Sequence, residues 1–189
     1  MKCICVYAAS NIGRYSGYKK GAQALGRILV NKGIRLVYGG SKMGLMGTVA
    51  DEVLNQGGQA IGVMPRSLFN KEINHERLTQ FIEVDTMHER KAKMGELAEG
   101  FVALPGGLGT FEELIEVFSW SQIGIHKKPI GLLNINNYFS PFLHMIEASV
   151  EAGFAQADIL ELLIIEEDPE TLIEKMMDYE RPKLSQKQQ

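Results

Sequence analysis

Arg90 and Lys91 stand together in a stretch that otherwise reads as an amphipathic helix. The apolar stripe of residues 87–98 passes through Met87, Met94, Leu97 and Ala98, and its missing turn falls on these two cations. They sit near the inward edge of the predicted helix and at its N-terminal end, where the macrodipole disfavours positive charge. An anionic ligand resolves both problems, whereas stems that snorkel past the core to solvent resolve only the first. Glu113 poses a related question. It lies one turn into a predicted helix whose core face is Phe111, Leu114, Ile115, Val117 and Phe118, with Glu112 and Glu116 pointing away. A carboxylate at that margin suits general acid–base work. It equally suits a capping box in which Thr110 caps the helix and Glu113 reaches back. The pattern recurs at Thr86-Met87-His88-Glu89, where a cap, together with a pair to Lys93, accounts for Glu89.

Two glycine-rich segments accompany these charges: Gly39-Gly40-Ser41-Lys42-Met43-Gly44-Leu45-Met46-Gly47 and Pro105-Gly106-Gly107-Leu108-Gly109-Thr110. Glycine lets backbone N–H groups converge on an anion, and a following helix adds free donors and a positive dipole end. One such loop is as well explained by a tight turn; two on one edge favour an anion. Neither matches GxxxxGK[ST], and the first strand–helix turn, from Ala8 to Gly13, lacks the GxGxxG dinucleotide pattern. A smaller nucleotide is therefore expected.

These residues need a scaffold that gathers them. Short apolar runs near 2–9, 34–38, 59–64, 80–85, 100–104, 129–134 and 162–166 read as strands. Helical periods lie near 15–31, 44–56, 87–98, 110–123, 138–151 and 168–179. The alternation predicts an α/β fold, a mostly parallel sheet of about seven strands covered on both faces. In such sheets ligands sit beyond the carboxyl ends of the strands. Ser10, both glycine segments and the Arg90 segment all follow strands, so all fall on that edge. Residues 1–180 read as one domain and 181–189 as a frayed polar tail.

Composition narrows the function further. The 189 residues carry a net charge of -3, which argues against bulk nucleic-acid or anionic-membrane binding. The two cysteines, Cys3 and Cys5, have the spacing of one strand face and suggest no zinc or redox pair. The four histidines are scattered, so no metal is expected. The first strand begins at once, without a leader-like segment, and no run has transmembrane length; a cytoplasmic setting is expected.

The stretch Pro105-Gly106-Gly107-Leu108-Gly109-Thr110-Phe111-Glu112-Glu113 resembles the PGGxGTxxE signature of the LONELY GUY (LOG) family. The resemblance extends to Tyr38-Gly39-Gly40-Ser41, Gly44-Leu45-Met46-Gly47, Gly62-Val63-Met64-Pro65, Met87-His88-Glu89-Arg90-Lys91 and Trp120-Ser121-Gln122-Ile123-Gly124. It implies a Rossmann-like three-layer sandwich, usually a homodimer. The implied activity is hydrolysis of a cytokinin riboside 5′-monophosphate to free base and ribose 5-phosphate, without a cofactor. It places the catalytic arginine and glutamate on Arg90 and Glu113. Substrate contacts fall on Glu72, Lys91, the loop from Gly107 to Glu113, and Ser119. Leu108 departs from the frequent tyrosine of the signature, so an aromatic contact there is lost. A lysine decarboxylase label, often attached to such proteins, finds no pyridoxal-phosphate constellation here. Two alternatives remain: a hydrolase of ordinary purine monophosphates such as AMP, and a non-catalytic carrier like the related molybdenum-cofactor carriers.

Overall fold

The computed structural model describes residues 1–68 and 75–184. Among these residues seven strands form one sheet: β1 (Cys3–Tyr7), β2 (Arg35–Tyr38), β3 (Ala60–Pro65), β4 (Gln80–Val84), β5 (Gly100–Ala103), β6 (Ile130–Leu133) and β7 (Leu163–Glu166). Six α-helices accompany them among the described residues, five between strands and the last after β7: α1 (Ser16–Asn31), α2 (Gly44–Asn55), α3 (Met87–Leu97), α4 (Leu108–Gln122), α5 (Ser140–Glu151) and α6 (Pro169–Met177). The spatial order is β4-β3-β2-β1-β5-β6-β7, and every pairing is parallel. The expected α/β architecture is present, with a sheet parallel throughout rather than mostly so.

Alternation along β1 shows how sequence builds the layers. Ile4 and Val6 join the core under α1, α2 and α6, while Cys3, Cys5 and Tyr7 join the core under α3, α4 and α5. Central β5 is buried along its whole length, which is why it reads as an unbroken apolar run. Strand order reverses between β1 and β5, and this switch point opens a crevice at their carboxyl ends. The turns after β1 and β5 meet there, where the Ala9 amide donates to the Pro105 carbonyl at 3.4 Å.

Three short 3₁₀ turns, Arg66–Leu68, Ile135–Asn137 and Ile159–Leu162, are absent from the sequence expectations. The start of the polar tail is anchored: Arg181 Nη2 donates to the Ser121 carbonyl at 2.7 Å, and Leu184 packs on the core. Among the described residues no helix is long and apolar enough to cross a membrane.

Candidate active site

The N-terminus of α4 is open. Gly107 is its N-cap residue, with φ -98° and ψ -156°, and no side chain caps it. Helical bonding starts with Phe111 N–H to the Gly107 carbonyl at 3.0 Å. Among the described residues, the N–H groups of Leu108, Gly109 and Thr110 have no backbone acceptor. A Cβ added to Gly107 or Gly109 would meet nothing within 4 Å. Leu108 is 86% exposed. Three donors, an uncancelled dipole and empty space thus face the crevice, which is the chemistry of an anion seat.

This start corrects the capping box expected at Thr110. The helix begins two residues earlier, because Gly107 serves as N-cap through its backbone alone. Thr110 is buried within the first turn, packed where a side chain on Gly106 would otherwise lie. Thr110 is therefore no N-cap for Glu113 to reach back to. Glu113 is half-buried, and its charge is felt on β1. Burial pushes the Cys5 thiol and the Tyr7 phenol well above their ordinary values, and the Glu113 carboxylate adds to both. The Arg90 charge acts on Cys5 in the opposite sense. Arg90 and Glu113 come from different helices, yet both act on the same thiol under the switch point.

Arg90 lies inward, as the interruption of the α3 stripe required, and is 5% exposed. Its Nε donates to the Val63 carbonyl of β3 at 3.1 Å, and its Nη1 lies 3.8 Å from the Met87 sulfur. Its Nη2 occupies the space a Cβ on Gly39 would take, so this glycine is small for the guanidinium's sake. α3 is capped by the Thr86 hydroxyl, which accepts from Glu89 N–H at 3.1 Å. The Glu89 carboxylate accepts from Asp85 N–H at 2.9 Å rather than from Thr86, one residue off the expected box. Lys93 pairs with Glu96 at 3.0 Å instead of Glu89, whose carboxylate is already engaged.

Lys91 diverges from its neighbour. Its Nζ binds Glu112 and, at 2.8 Å, Glu116, joining α3 to α4. Burial works against its charge, but the two carboxylates outweigh that and raise its pKa. The inward cation at 91 is thus met by protein carboxylates, and those at 112 and 116 face α3.

The segment from Gly39 to Gly47 is engaged by neighbouring protein backbone, chiefly the turn after β1. The N–H groups of Leu45 and Met46 both donate to the Ala9 carbonyl, at 3.0 and 3.2 Å, and Met43 N–H donates to the Ser41 hydroxyl at 3.2 Å. Gly40 has φ +79° and lies against Gly62. Gly44 has φ +59° and packs against the Ser10–Asn11 backbone, and Gly47 packs on the Lys42 carbonyl. Exposed Ser10 therefore sits beside Gly44 at the end of β1. Ser119 is exposed about 16 Å along the α4 axis from Leu108, away from the open end. Glu72 lies outside the described residues. Sequence reasoning passed over Tyr138, whose hydroxyl donates to the Gly106 carbonyl. Two consecutive asparagines before it were the available turn signal.

The parallel sheet, its switch-point crevice and the open helix N-terminus define a Rossmann-like α/β protein. Residues 46–176 match the family model described as "Possible lysine decarboxylase". The chain is 46% identical to the cytokinin riboside 5′-monophosphate phosphoribohydrolase LOG of Oryza sativa subsp. japonica, over 93% of this chain and 73% of that one. It is 43% identical to the cytokinin riboside 5′-monophosphate phosphoribohydrolase LOG1 of Arabidopsis thaliana, over 94% and 84%. The molybdenum cofactor binding protein of Rippkaea orientalis shares the fold at TM-score 0.69 and 20% identity, over 94% of this chain and 96% of that one. The chain belongs to the LOG family.

Proposed function

We propose that the protein hydrolyses the N-glycosidic bond of a purine riboside 5′-monophosphate of the cytokinin type, releasing free base and ribose 5-phosphate. The observation that carries this reading is the open α4 N-terminus with Glu113 one turn behind it and Arg90 buried alongside. The relatives that match nearly the whole chain bear the name of that activity.

In this reading the 5′-phosphate sits on the Leu108, Gly109 and Thr110 amides and fixes the sugar beside Glu113. Cleavage builds oxocarbenium-like positive charge on the ribose, and the Glu113 carboxylate stabilises it or activates the attacking water. Arg90 orients the substrate and the carboxylate from the β3 side. Lys91 and Glu112 bind substrate by exchanging partners within their ion pair, and Gly106 and Phe111 border the phosphate. Ser10 and Glu72 complete the proposed contacts, Gly39, Gly40 and Gly44 shape the site by admitting Arg90, Gly62 and the Ser10–Asn11 backbone, and Ser119, away from the open end, makes none from its own chain. The reaction needs no metal or redox cofactor. We place the protein in the cytoplasm as a homodimer; exposed Ile115, Ile123 and Ile125 along and beyond α4 support the pairing.

The test incubates the protein with AMP and, separately, isopentenyladenosine 5′-monophosphate. Free base and ribose 5-phosphate are expected, with none from the dephosphorylated nucleosides, and the faster substrate identifies the preferred base. Glu113→Gln is expected to lower kcat by about 10²–10⁴ while staying folded. A protein that binds both nucleotides but releases no base is a carrier, and the hydrolase reading then fails.

A further inference from the structure

Tyr138 follows the turn after β6, and that turn has an uncommon backbone. Asn136 has φ 55° and ψ 37°, and Asn137 has φ 55°. Two successive non-glycine residues in the left-handed region cost energy, least for asparagine, and persist only where surrounding structure holds them. Here Asn134 does the holding. It is 7% exposed, its side-chain oxygen accepts from Phe139 N–H at 2.7 Å, and its carbonyl accepts from Asn137 N–H at 3.1 Å. Its own N–H is fixed to the Glu166 carbonyl of β7 at 2.8 Å.

The product of this turn is the direction of one phenol. The Tyr138 ring stacks on Phe111 of α4, with centroids 6.2 Å apart and planes at 10°. Tyr18 of α1 meets it edge-on at 5.8 Å. Between these rings the hydroxyl reaches Gly106 and donates to its carbonyl. Burial raises the phenol's pKa, so it stays a donor at neutral pH.

That bond has a consequence on the far side of the peptide. The Gly106–Gly107 bond is trans, so its carbonyl and N–H point in opposite directions. Pinning the carbonyl to Tyr138 fixes the Gly107 N–H on the opposite side of the peptide, one residue before the first amides of α4. Thr110 packs against Gly106 and Phe111 N–H holds the Gly107 carbonyl, but Gly107 itself has no side chain and open space around it, so the Tyr138 bond adds a restraint that packing at Gly107 does not supply.

We propose that Tyr138 is a positioning residue that sets the Gly106–Gly107 peptide so that the α4 amides converge on a phosphate ester. The identity of that ester as ribose 5-phosphate rests on the proposed function; the positioning itself does not. The strained asparagine turn is the device that aims the phenol, and the Phe111 stack transmits its position to α4.

The test is Tyr138→Phe, which keeps the rings and removes the hydroxyl, beside Tyr18→Phe, which alters the same cluster without touching Gly106. Ribose 5-phosphate affinity is measured by titration calorimetry, and backbone amide spectra are recorded without ligand. Tyr138→Phe is expected to weaken ribose 5-phosphate on the order of tenfold, the scale of one hydrogen bond. It should raise nucleotide KM more than it lowers kcat, leave Tm within a few degrees, and shift amide signals mainly in residues 106–110. Tyr18→Phe should do none of this. Unchanged affinity, a loss of Tm alone, or an equal loss in Tyr18→Phe overturns the proposal. If the wild-type protein binds no ribose 5-phosphate, the phosphate reading fails, and the amide spectra alone then decide on Tyr138: a localised shift upholds it and no shift overturns it.

Discussion

Gly44 and Gly47 lie in the first turn of helix α2, and Gly107 and Gly109 cap and begin α4, yet the two pairs are glycine for different reasons. In the first segment the protein itself excludes a side chain. A Cβ at Gly44 would strike the Ser10–Asn11 backbone, and one at Gly47 the Lys42 carbonyl. The helix donors that follow are consumed by the Ala9 carbonyl. In the second segment nothing within 4 Å excludes a side chain at Gly107 or Gly109, and neither has a positive φ. Both segments read as glycine-rich strand–helix turns in sequence. Only the geometry separates glycines required by the fold from glycines whose space the fold leaves open.

The sharpest way to break this contrast is Gly47→Ala. The clash is with backbone and cannot be relieved by a rotamer, so it should cost roughly 3 kcal/mol. Thermal denaturation should show a fall of about 6–12 °C. A wild-type Tm would mean the α2 segment is as tolerant as the α4 one. Next in size is Gly107→Asp. The side chain fits the empty space and can cap α4, adding a few tenths of a kcal/mol of stability. Its carboxylate would take the seat proposed for phosphate, so ribose 5-phosphate affinity should fall on the order of a hundredfold. Retained affinity by calorimetry would remove the anion seat from α4.

The smallest effect comes from a helix that is already closed. The Asp168 carboxylate caps α6, accepting from the Thr171 amide at 2.8 Å and its hydroxyl at 2.7 Å. The Thr171 amide, then its hydroxyl, hold the Asp168 pKa below the usual value. Asp168→Ala should cost about 1 kcal/mol at neutral pH. A lowered folded pKa gives stability that is present above the unfolded value, about 3.9, and lost as pH falls through the folded one. The Tm gap between wild type and variant should therefore narrow in acid below about pH 4. A gap that widens there would reverse the assignment of the cap.

Much of the fold was legible because periodicity is a local property. All seven strands and six helices fall where the sequence pattern put them, to within a few residues. The inward placement of Arg90 was legible for the same reason, as a polar break in an apolar stripe. Details that depend on long-range partners were not. Lys91 looked like a cation in need of a ligand because Glu112 and Glu116 belong to another helix. The α4 start moved from Thr110 to Leu108 because a glycine can cap with its backbone, which leaves no side-chain signature. The Tyr138 contact joins residues 32 positions apart and has no local pattern. The reach of Arg181 to Ser121 spans 60 and anchored a segment whose composition read only as polar.

The Lys91 clamp has a mechanical consequence. Arg90 is one peptide from Lys91, and Glu113 one peptide from Glu112. The ammonium group that rivets α3 to α4 therefore grips both helices next to the proposed reacting pair. The ion pairs tie the two helices at the positions that set the spacing between guanidinium and carboxylate, and this tie weakens with added salt as its ions are screened.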